Sequence, residues 1–244
     1  MLITSLENER IKNYIRLKER KYRKKSGMFI AEGIHLVLEA YKKGLVLELI
    51  LEKNTVLPIE HPTFYVTREI INKISDMDSP SNVMALCKMP EQKEIIGERI
   101  LALDGIQDPG NLGTIIRSAA AFNVDTIVLS TDTVDVYNPK VLRATQGMLF
   151  NVNIVYSDLE KIIKDFKDKD IPIYGTRVDR GIDVRTLKDK DRKKYVLIMG
   201  NEGNGVKKDI LSLCDCYIYI NMNEKVESLN VGVAASIILY ELNR

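Results

Sequence analysis

The sequence predicts an α/β protein with two parts: a small α/β sandwich over residues 1–90, and an α/β domain with a largely parallel sheet over residues 98–244. Short apolar segments alternate with helical segments along both parts, which is typical of this class. A polar stretch that begins at Pro90 separates the parts. The hydrophobic content of 45% in 244 residues is sufficient for a core, and the absence of an 18-residue apolar run predicts no transmembrane helix.

The first part alternates helices and short strands. Gly44 follows the helix over 34–43, and Pro90 follows the last strand, and each of these residues is typical of the end of a secondary-structure element. Strands are predicted at 28–31, 46–51, 63–66 and 83–87, and helices at 5–23, 34–43 and 68–74.

The second part begins near Ile100 and alternates more regularly, which favours a parallel sheet covered on both faces. A charged stretch over 181–194 interrupts the alternation. Strands are predicted at 100–103, 126–130, 152–155, 172–175, 195–199 and 217–220, and helices at 112–122, 139–144, 158–168, 206–212 and 229–242.

Positive charge is concentrated near the N-terminus. Nine of the 36 Lys and Arg residues lie within 10–25, together with one of the 34 acidic residues, so the rest of the chain is net acidic. The cluster has three possible explanations: a nucleic acid partner, a solvated helix face or a membrane surface. Solvated helix faces usually mix both signs, so the one-signed cluster favours a nucleic acid partner. Tyr14 and Tyr22 either stack on bases or anchor the core. The predicted RNA contacts are Arg10, Arg16, Arg20, Lys21, Arg23, Lys24 and Lys25.

The cysteine and histidine content argues against metal and disulfide chemistry. Three Cys without a C-x-x-C pair favour free thiols in a reducing compartment, and two His are too few for a His-rich metal site. The first ten residues lack the apolar core of a signal peptide. A cytoplasmic protein without a metal is therefore expected.

Several nucleotide and hydrolase motifs are absent. No G-x-G-x-x-G follows the first strand of the second part, and no P-loop or G-x-S-x-G segment occurs. Both His residues lie in the first part, so a Ser-His-Asp triad lacks a base.

Three loops of one design lie in the second part, at 103–113, 198–206 and 220–231. In each, an apolar strand runs into Gly, Asn, Asp, Ser or Glu residues and then into a helix. Because carboxyl ends of parallel strands share one edge of a sheet, these loops predict a common pocket. Arg117, on the helix after the first loop, either snorkels at an edge or faces an anion, and the loop before it favours an anion.

Single residues in these loops also have ordinary structural roles. Asn111 is a candidate N-cap of its helix, and Ser228 is a candidate N-cap of the last helix, with Asn230 in its first turn. Glu202 alternatively complements the dipole of a helix that begins near Val206.

The last helix is apolar or small on nearly every side from Leu229 to Leu242, with Glu241 as its one charged residue. A helix apolar on all sides must be covered on all sides, and one sheet covers one face. A homodimer interface is therefore expected on this helix.

The three loops together resemble a known family. The spacing D-P-x-N-x-G-x-x-x-R, then G-N-E-G-x-G, then S-L-N-V-x-x-A-A-S-I-I-L-Y-E, is similar to the three motifs of the SpoU (TrmH-like) branch of the SPOUT RNA methyltransferases, in the family's order over about residues 100–244. The segment Phe29–Val37 resembles the ribosomal-protein-like substrate-binding domain that many ribosomal RNA members carry.

The resemblance implies a C-terminal segment threaded as a deep trefoil knot, S-adenosylmethionine as cosubstrate, and a dimer whose active site takes residues from both chains. It implies that no metal is needed. It also implies two sets of site residues. The cosubstrate positions are Thr176, Gly200, Ile220 and Leu229, with Met222 and Ser228 nearby. The catalytic positions are Asn111, Arg117, Glu202, Ser228 and Asn230.

One block departs from the family pattern. Relatives often have Arg-Ala-Ser-Ala-Gly between the first two motifs, whereas this chain has Arg143-Ala-Thr-Gln-Gly147. Arg143 keeps its predicted role in binding RNA, but Thr145 and Gln146 put the identity of the substrate in doubt.

The expected reaction is methylation of a ribose 2′-hydroxyl in RNA. The N-terminal part favours ribosomal RNA of the large subunit over transfer RNA. A different class, a non-catalytic RNA-binding or ribosome-assembly protein, explains the basic run but not the joint presence of the four polar motif residues Asn111, Arg117, Glu202 and Asn230.

Overall fold

The computed structural model describes all 244 residues, which group by their contacts into two compact units. The first unit comprises Met1–Glu91 and Asp135–Phe150, and the second comprises Gln92–Val134 and Asn151–Arg244. The two units are defined by contacts alone. The prediction that residues 1–90 and 98–244 form separate domains is a statement about independent folding, and it stays a prediction.

The first unit is built on a five-stranded mixed sheet with the order β1-β4-β3-β5-β2. β1, β4 and β3 run parallel, whereas β5 runs antiparallel to both β3 and β2. Its elements are β1 (Leu2–Ile3), α1 (Glu9–Arg16), α2 (Arg20–Ser26), β2 (Met28–Glu32), α3 (Ile34–Lys42), β3 (Val46–Glu52), β4 (Thr63–Val66), α4 (Arg68–Ile74) and β5 (Val83–Lys88).

The basic N-terminal run forms two helices, so the prediction of one helix over 5–23 is wrong. The Asn8 side chain caps α1 by accepting from the backbone of Arg10 at 2.9 Å, and α1 ends at Arg16. A turn precedes α2, which ends at Gly27 with φ of 66°. α1 buries Ile11 and Tyr14 in an apolar cluster with α4 on one face of the sheet.

The segment Asp135–Phe150 packs within the first unit, although it lies between strands of the second sheet in the chain. It contains α6 (Pro139–Thr145; α5 is defined below). The ring centroids of Phe29 and Tyr137 lie 4.9 Å apart. The buried Arg23 guanidinium pairs with the Asp135 carboxylate at 2.6 Å.

The second unit is a seven-stranded sheet with the order β10-β12-β9-β11-β6-β7-β8, and every pair is parallel. Its elements are β6 (Arg99–Asp104), α5 (Pro109–Ala121), β7 (Thr126–Leu129), β8 (Asn153–Tyr156), α7 (Leu159–Lys167), β9 (Ile173–Thr176), β10 (Ile182–Asp183), α8 (Asp189–Arg192), β11 (Tyr195–Gly200), α9 (Lys208–Ser212), β12 (Cys216–Tyr219) and α10 (Val231–Leu242).

The strand register brings the functional loops to one edge of this sheet. Gly200 pairs with Asp104, and Thr176 pairs with Ile218, so the loops after β6, β9, β11 and β12 begin at one level. The order, with β11 between β9 and β6 and with β12 beyond β9, is consistent with the knot that the resemblance implies. The stretch 181–194, predicted only as a charged excursion, contains the short elements β10 and α8.

None of the helices has the length and apolar composition that crossing a bilayer requires.

Candidate active site

A cavity of about 600 Å³ lies at the carboxyl edge of the second sheet. Its walls come from the loops after β9, β11 and β12 and from one face of α10. Apolar residues lie beside glycines and polar residues along these walls, which is typical of a small-molecule site. The lining includes all six residues predicted to bind the cosubstrate: Thr176, Gly200, Ile220, Met222, Ser228 and Leu229.

The loop after β11 has no room for a side chain at its first residue. A Cβ atom on Gly200 would lie 2.0 Å from the backbone carbon of Gly205 and from the backbone nitrogen of Val206. The loop is closed by two backbone hydrogen bonds between Asn201 and Gly205, of 3.0 and 2.9 Å. The Asn201 amide also donates to the carbonyl of Gly105 at 2.8 Å. The loop is therefore a fixed part of the cavity wall.

A chain of hydrogen bonds connects three loops beside the cavity. The Asn111 amide donates to a Glu202 carboxylate oxygen at 3.1 Å, and the Asn230 amide donates to the Asn111 oxygen at 2.8 Å. The side-chain oxygen of Asn230 accepts from the backbone amides of Gly232 and Val233 at the start of α10. Each side chain thus has a fixed orientation, and the loops after β6, β11 and β12 are joined.

The structure changes the ordinary roles considered for these residues. Asp108 caps α5 by accepting from the backbone of Asn111 at 2.8 Å, which frees the Asn111 side chain for the chain of hydrogen bonds. Asn230, and not Ser228, caps α10. Glu202 faces the start of α5 and not the helix after Val206, which is α9. These pairings depend on residues about 90 to 120 positions apart, which no local pattern reveals.

The Glu202 carboxylate also accepts from the backbone of Gln107 at 3.2 Å and of Asp108 at 3.0 Å. Burial acts to raise the pKa of Glu202, but the hydrogen bonds from Asn111 and the two backbone amides outweigh it. The pKa of Glu202 is therefore lowered from its ordinary value, and the carboxylate stays charged where it holds the loops together.

Sequence reasoning missed a buried ion pair below the same loop. The Asp104 side chain at the end of β6 is 1% exposed, and it accepts from the Lys207 ammonium at 3.0 Å and from the Lys207 backbone at 2.9 Å. Asp132 also binds that ammonium, at 2.9 Å. The hydrogen bonds that Lys207 donates to Asp132 and Asp104 raise the pKa of its ammonium. The signal in the sequence is an acidic residue that ends an apolar strand, four residues before the first loop's motif begins at Asp108.

Arg117 does not line this cavity. It lies on the exposed face of α5 and has no hydrogen-bonding or ion-pair partner within the chain. α10 packs against α5 and leaves three large side chains exposed at helical spacing, Val233 (46%), Ile237 (37%) and Tyr240 (55%). The Tyr240 ring contacts Phe122 edge-on, with centroids 5.8 Å apart. α10 thus presents exposed apolar side chains, and the helix packed against it, α5, presents an unpaired guanidinium.

The basic residues of the first unit divide into exposed and buried members. Arg16, Arg20, Lys24 and Lys25 are exposed and make no ion pair, Lys21 is exposed and pairs with Glu19, and Arg10 pairs with Glu48.

Arg23, which was predicted to contact RNA, is the buried member of the basic run. It is 2% exposed, and it donates to Asp135 and to the carbonyls of Leu17 and Lys18. Because its guanidinium is fully engaged inside the first unit, it is a structural residue and not an RNA contact.

Arg143, the other predicted RNA contact, lies on α6 in the first unit. It is half-buried beside a small cavity of about 20 Å³ that is also lined by Lys18, Glu32 and Asp76. Its Nη1 atom is buried and lacks a hydrogen-bond partner. Its role in RNA binding stays a prediction.

No group of three or more His, Cys, Asp or Glu side chains is placed to hold a metal ion, and the three cysteines are free.

Comparison with known proteins gives a consistent result for both parts of the chain. Residues 98–240 match the model of the SpoU rRNA methylase family, and residues 8–85 match that of the MRM3-like substrate binding domain. The 23S rRNA (guanosine(2553)-2′-O)-methyltransferase RlmP of Bacillus subtilis is 35% identical, over 98% of each chain.

Solved structures extend this likeness to the whole fold. The SpoU methyltransferase AviRb from Streptomyces viridochromogenes, in complex with the cofactor AdoMet, superimposes with a TM-score of 0.88 at 26% identity, over 98% of each chain. The AdoMet-bound rRNA methyltransferase from Sinorhizobium meliloti gives a TM-score of 0.87 at 29% identity, over 100% of this chain and 97% of the other. By its matched motifs, its fold and the extent of these similarities, the chain belongs to the SpoU rRNA methylase family.

Proposed function

We propose that this protein transfers a methyl group from S-adenosylmethionine to a ribose 2′-hydroxyl of ribosomal RNA, in the large subunit. The observation that carries the proposal is a cavity, in a member of this family, in which the loops after β11 and β12 are joined to the loop after β6 by Glu202, Asn111 and Asn230. A relative that matches over 98% of each chain is named as a 23S rRNA 2′-O-methyltransferase. Such a substrate favours a cytoplasmic location.

The cavity fits S-adenosylmethionine in size and chemistry. A volume of about 600 Å³ suits a ligand of this class. Met199, Ile220, Met222 and Leu229 supply apolar walls for an adenine ring. The absence of a side chain at Gly200 lets the backbone of Gly205 and Val206 pack directly against it, which fixes the shape of the cavity wall. Thr176, Gly200, Ile220 and Leu229 would hold the ligand through main-chain groups, with Met222 and Ser228 beside it.

When bound, S-adenosylmethionine supplies an electrophilic methyl group on a sulfonium, which is already a good leaving group. The protein must then position the ribose and stabilise the charge that develops on its oxygen. In the reaction the ribose O2′–CH₃ bond forms, the S–CH₃ bond breaks, and the hydroxyl proton leaves to a neighbouring phosphate or to water.

Arg117 is the proposed catalytic residue. An arginine is a poor base because its guanidinium stays protonated at physiological pH. Its guanidinium instead binds the developing alkoxide and the adjacent phosphate through charge-assisted hydrogen bonds. Asn111 and Asn230 orient the ribose and the loops, and Glu202 keeps the two asparagines in place. Ser228 completes the wall where the ribose would enter.

The position of Arg117 supports a homodimer with composite active sites. Arg117 lies outside its own chain's cavity, on the exposed side of α5, the helix against which α10 packs. A second copy that covers Val233, Ile237 and Tyr240 about a two-fold axis would carry its own Arg117 to this surface as well. Each active site then combines the cavity of one protomer with the guanidinium of its partner.

Methyl transfer to purified RNA tests the function. The purified protein is incubated with tritiated S-adenosylmethionine and with 23S, 16S or transfer RNA from cells that lack the gene. We expect label in 23S RNA and one ribose resistant to alkaline cleavage. Label confined to transfer RNA would overturn the substrate assignment. Absence of both transfer and cosubstrate binding by calorimetry would overturn the enzyme assignment.

Mixing two inactive variants tests the composite site. Arg117→Ala removes the guanidinium, and Gly200→Ala displaces the loop that forms the cavity wall. If the two groups come from different protomers, co-refolding equal amounts restores about a quarter of wild-type activity, because half of the dimers are mixed and each has one intact site of two. No recovery in mixed dimers, with Arg117→Ala still binding the cosubstrate within a few fold of wild type, would place both groups in one chain's site.

A further inference from the structure

A second large depression lies in the first unit, between its first two helices and its sheet. This groove has a volume of about 680 Å³. α1 and α2 form one wall, and strands β2, β3 and β5 form the floor. We name it the basic groove and define it by the residues that carry the argument: Arg10, Arg16, Tyr22, Lys25, Met28 and Leu86.

The floor of the basic groove is apolar and partly open. Glu48 lies opposite Leu86 on the neighbouring strand, Leu86 lies opposite Ile30, and Met28 is two residues before Ile30, so these side chains share one face of the sheet. α1 and α4 cover the rest of that face. Met28 and Leu86 remain half-exposed, and the half-buried Tyr22 ring borders them on α2.

Cations surround this apolar floor. Arg16 and Lys25 are exposed and have no carboxylate partner. The single acidic residue of the lining is Glu48, which is 11% exposed and already accepts hydrogen bonds from Arg10 and from the Tyr14 hydroxyl. The Arg10 guanidinium also stacks 4.1 Å from the Phe64 ring centroid. The negative charge in the groove is therefore neutralised, and its rim is left positive.

We propose that the basic groove holds an unpaired nucleotide of the substrate RNA, with the base against Tyr22, Met28 and Leu86 and with flanking phosphates on Arg16 and Lys25. The proposal rests on the proposed function, and it names the part of the first unit that grips the RNA. An apolar floor with an aromatic ring inside a cationic rim is the combination that single-stranded nucleic acid requires. A duplex keeps its bases paired and stacked inside, so it would present no free base to this apolar floor.

Binding of a short single strand by the full-length protein tests the proposal. The probe is a 12-nucleotide unpaired RNA with a central 2-aminopurine, and a duplex of equal length is the comparison. We expect the single strand to bind more tightly and the 2-aminopurine fluorescence to be quenched by stacking. Tyr22→Leu should weaken binding about tenfold and abolish the quenching, whereas Tyr22→Phe should preserve both.

The phosphate contacts are tested by salt dependence. The double variant Arg16→Ala/Lys25→Ala should reduce the slope of log affinity against log salt by about 1.4, since each phosphate contact on a single strand contributes about 0.7. A matched control is Lys53→Ala/Lys73→Ala, which removes two exposed, unpaired cations of the first unit that do not line the groove. This control should leave the slope nearly unchanged.

Two results would overturn the groove as a binding site. One is an equal loss of affinity in the groove variant and in its control, which would mean that charge alone attracts the RNA. The other is quenching that persists in Tyr22→Leu. Melting curves and cosubstrate calorimetry establish that each variant is folded. Because this assay measures binding and not transfer, the groove and the methyltransferase activity can each fail separately.

Discussion

Gly200→Ala is the substitution that most directly tests the fixed loop beside the cavity. The new methyl group would lie 2.0 Å from two backbone atoms of the same loop, where ordinary contacts begin at 3.4 Å. Gly205 and Val206 would therefore have to move by about 1.4 Å. No flexible side chain is available to give way, because both contacts are main-chain atoms.

The cost follows from the hydrogen bonds that hold the loop. Displacement breaks the two backbone bonds between Asn201 and Gly205 and the bond from Asn201 to Gly105. At about 1 kcal/mol each, the loss is about 3 kcal/mol. If binding requires the native loop, the dissociation constant for S-adenosylmethionine rises by about 100-fold.

Isothermal titration calorimetry with S-adenosylmethionine measures this effect. Gly203→Ala is the matched control, because a Cβ atom there would meet only the Asn201 side-chain oxygen, at an ordinary 3.5 Å. It should bind within about threefold of wild type. Cosubstrate affinity in Gly200→Ala within about threefold of wild type would refute the reasoning, since the loop would then accommodate the methyl group without cost.

Three further substitutions test the electrostatics. Asp104→Asn should lower the free energy of unfolding by about 2 kcal/mol in urea titrations, because it weakens a buried ion pair whose ammonium partner is half exposed. Asp132→Asn, at the rim, should lower it by less than about 1 kcal/mol. Equal losses of stability in the two variants would contradict this reasoning. Arg23→Met should lower the free energy of unfolding by about 3 kcal/mol, because it leaves the Asp135 carboxylate without its counterion. Arg20→Ala, at an exposed position, should leave the stability almost unchanged. An Arg23→Met variant as stable as the wild type would disprove the buried pair. Glu202 has a lowered pKa, so its carboxylate stabilises the folded protein above its ordinary value of 4.5, and this contribution disappears as the pH falls through the lowered pKa. The Tm of the wild type should therefore fall more than that of Glu202→Gln between about pH 6 and pH 3, and parallel curves would count against the assignment.

Local patterns in the sequence predicted most of the strands and helices. The strand Thr63–Val66 and the helix Arg68–Ile74 have the predicted bounds, because apolar runs and the Thr67 cap are local signals. The single helix over 5–23 failed for a long-range reason. Arg23 turns inward to Asp135, 112 residues away, and binds the carbonyls of Leu17 and Lys18 at the turn between the two helices.

The candidate site shows the same division between local and distant signals. Motif spacing predicted Asn111, Glu202 and Asn230 as candidate site residues, but their pairing follows from the register of β6 and β11 and from α10 packing on α5. Asp104 was missed because one acidic residue after a strand carries no motif. Its ion pair with Lys207 joins groups 103 residues apart.

The return of Asp135–Phe150 to the first unit limits how this chain can be divided. A polypeptide that stops at residue 90 would leave the Arg23 guanidinium without its counterion and the Phe29 ring without its aromatic neighbour. Grafting the first unit of one relative onto the second unit of another would therefore require exchanging two stretches of sequence together. Chimeras joined at a single crossover near Pro90 would inherit a mismatched core, however well each parent folds.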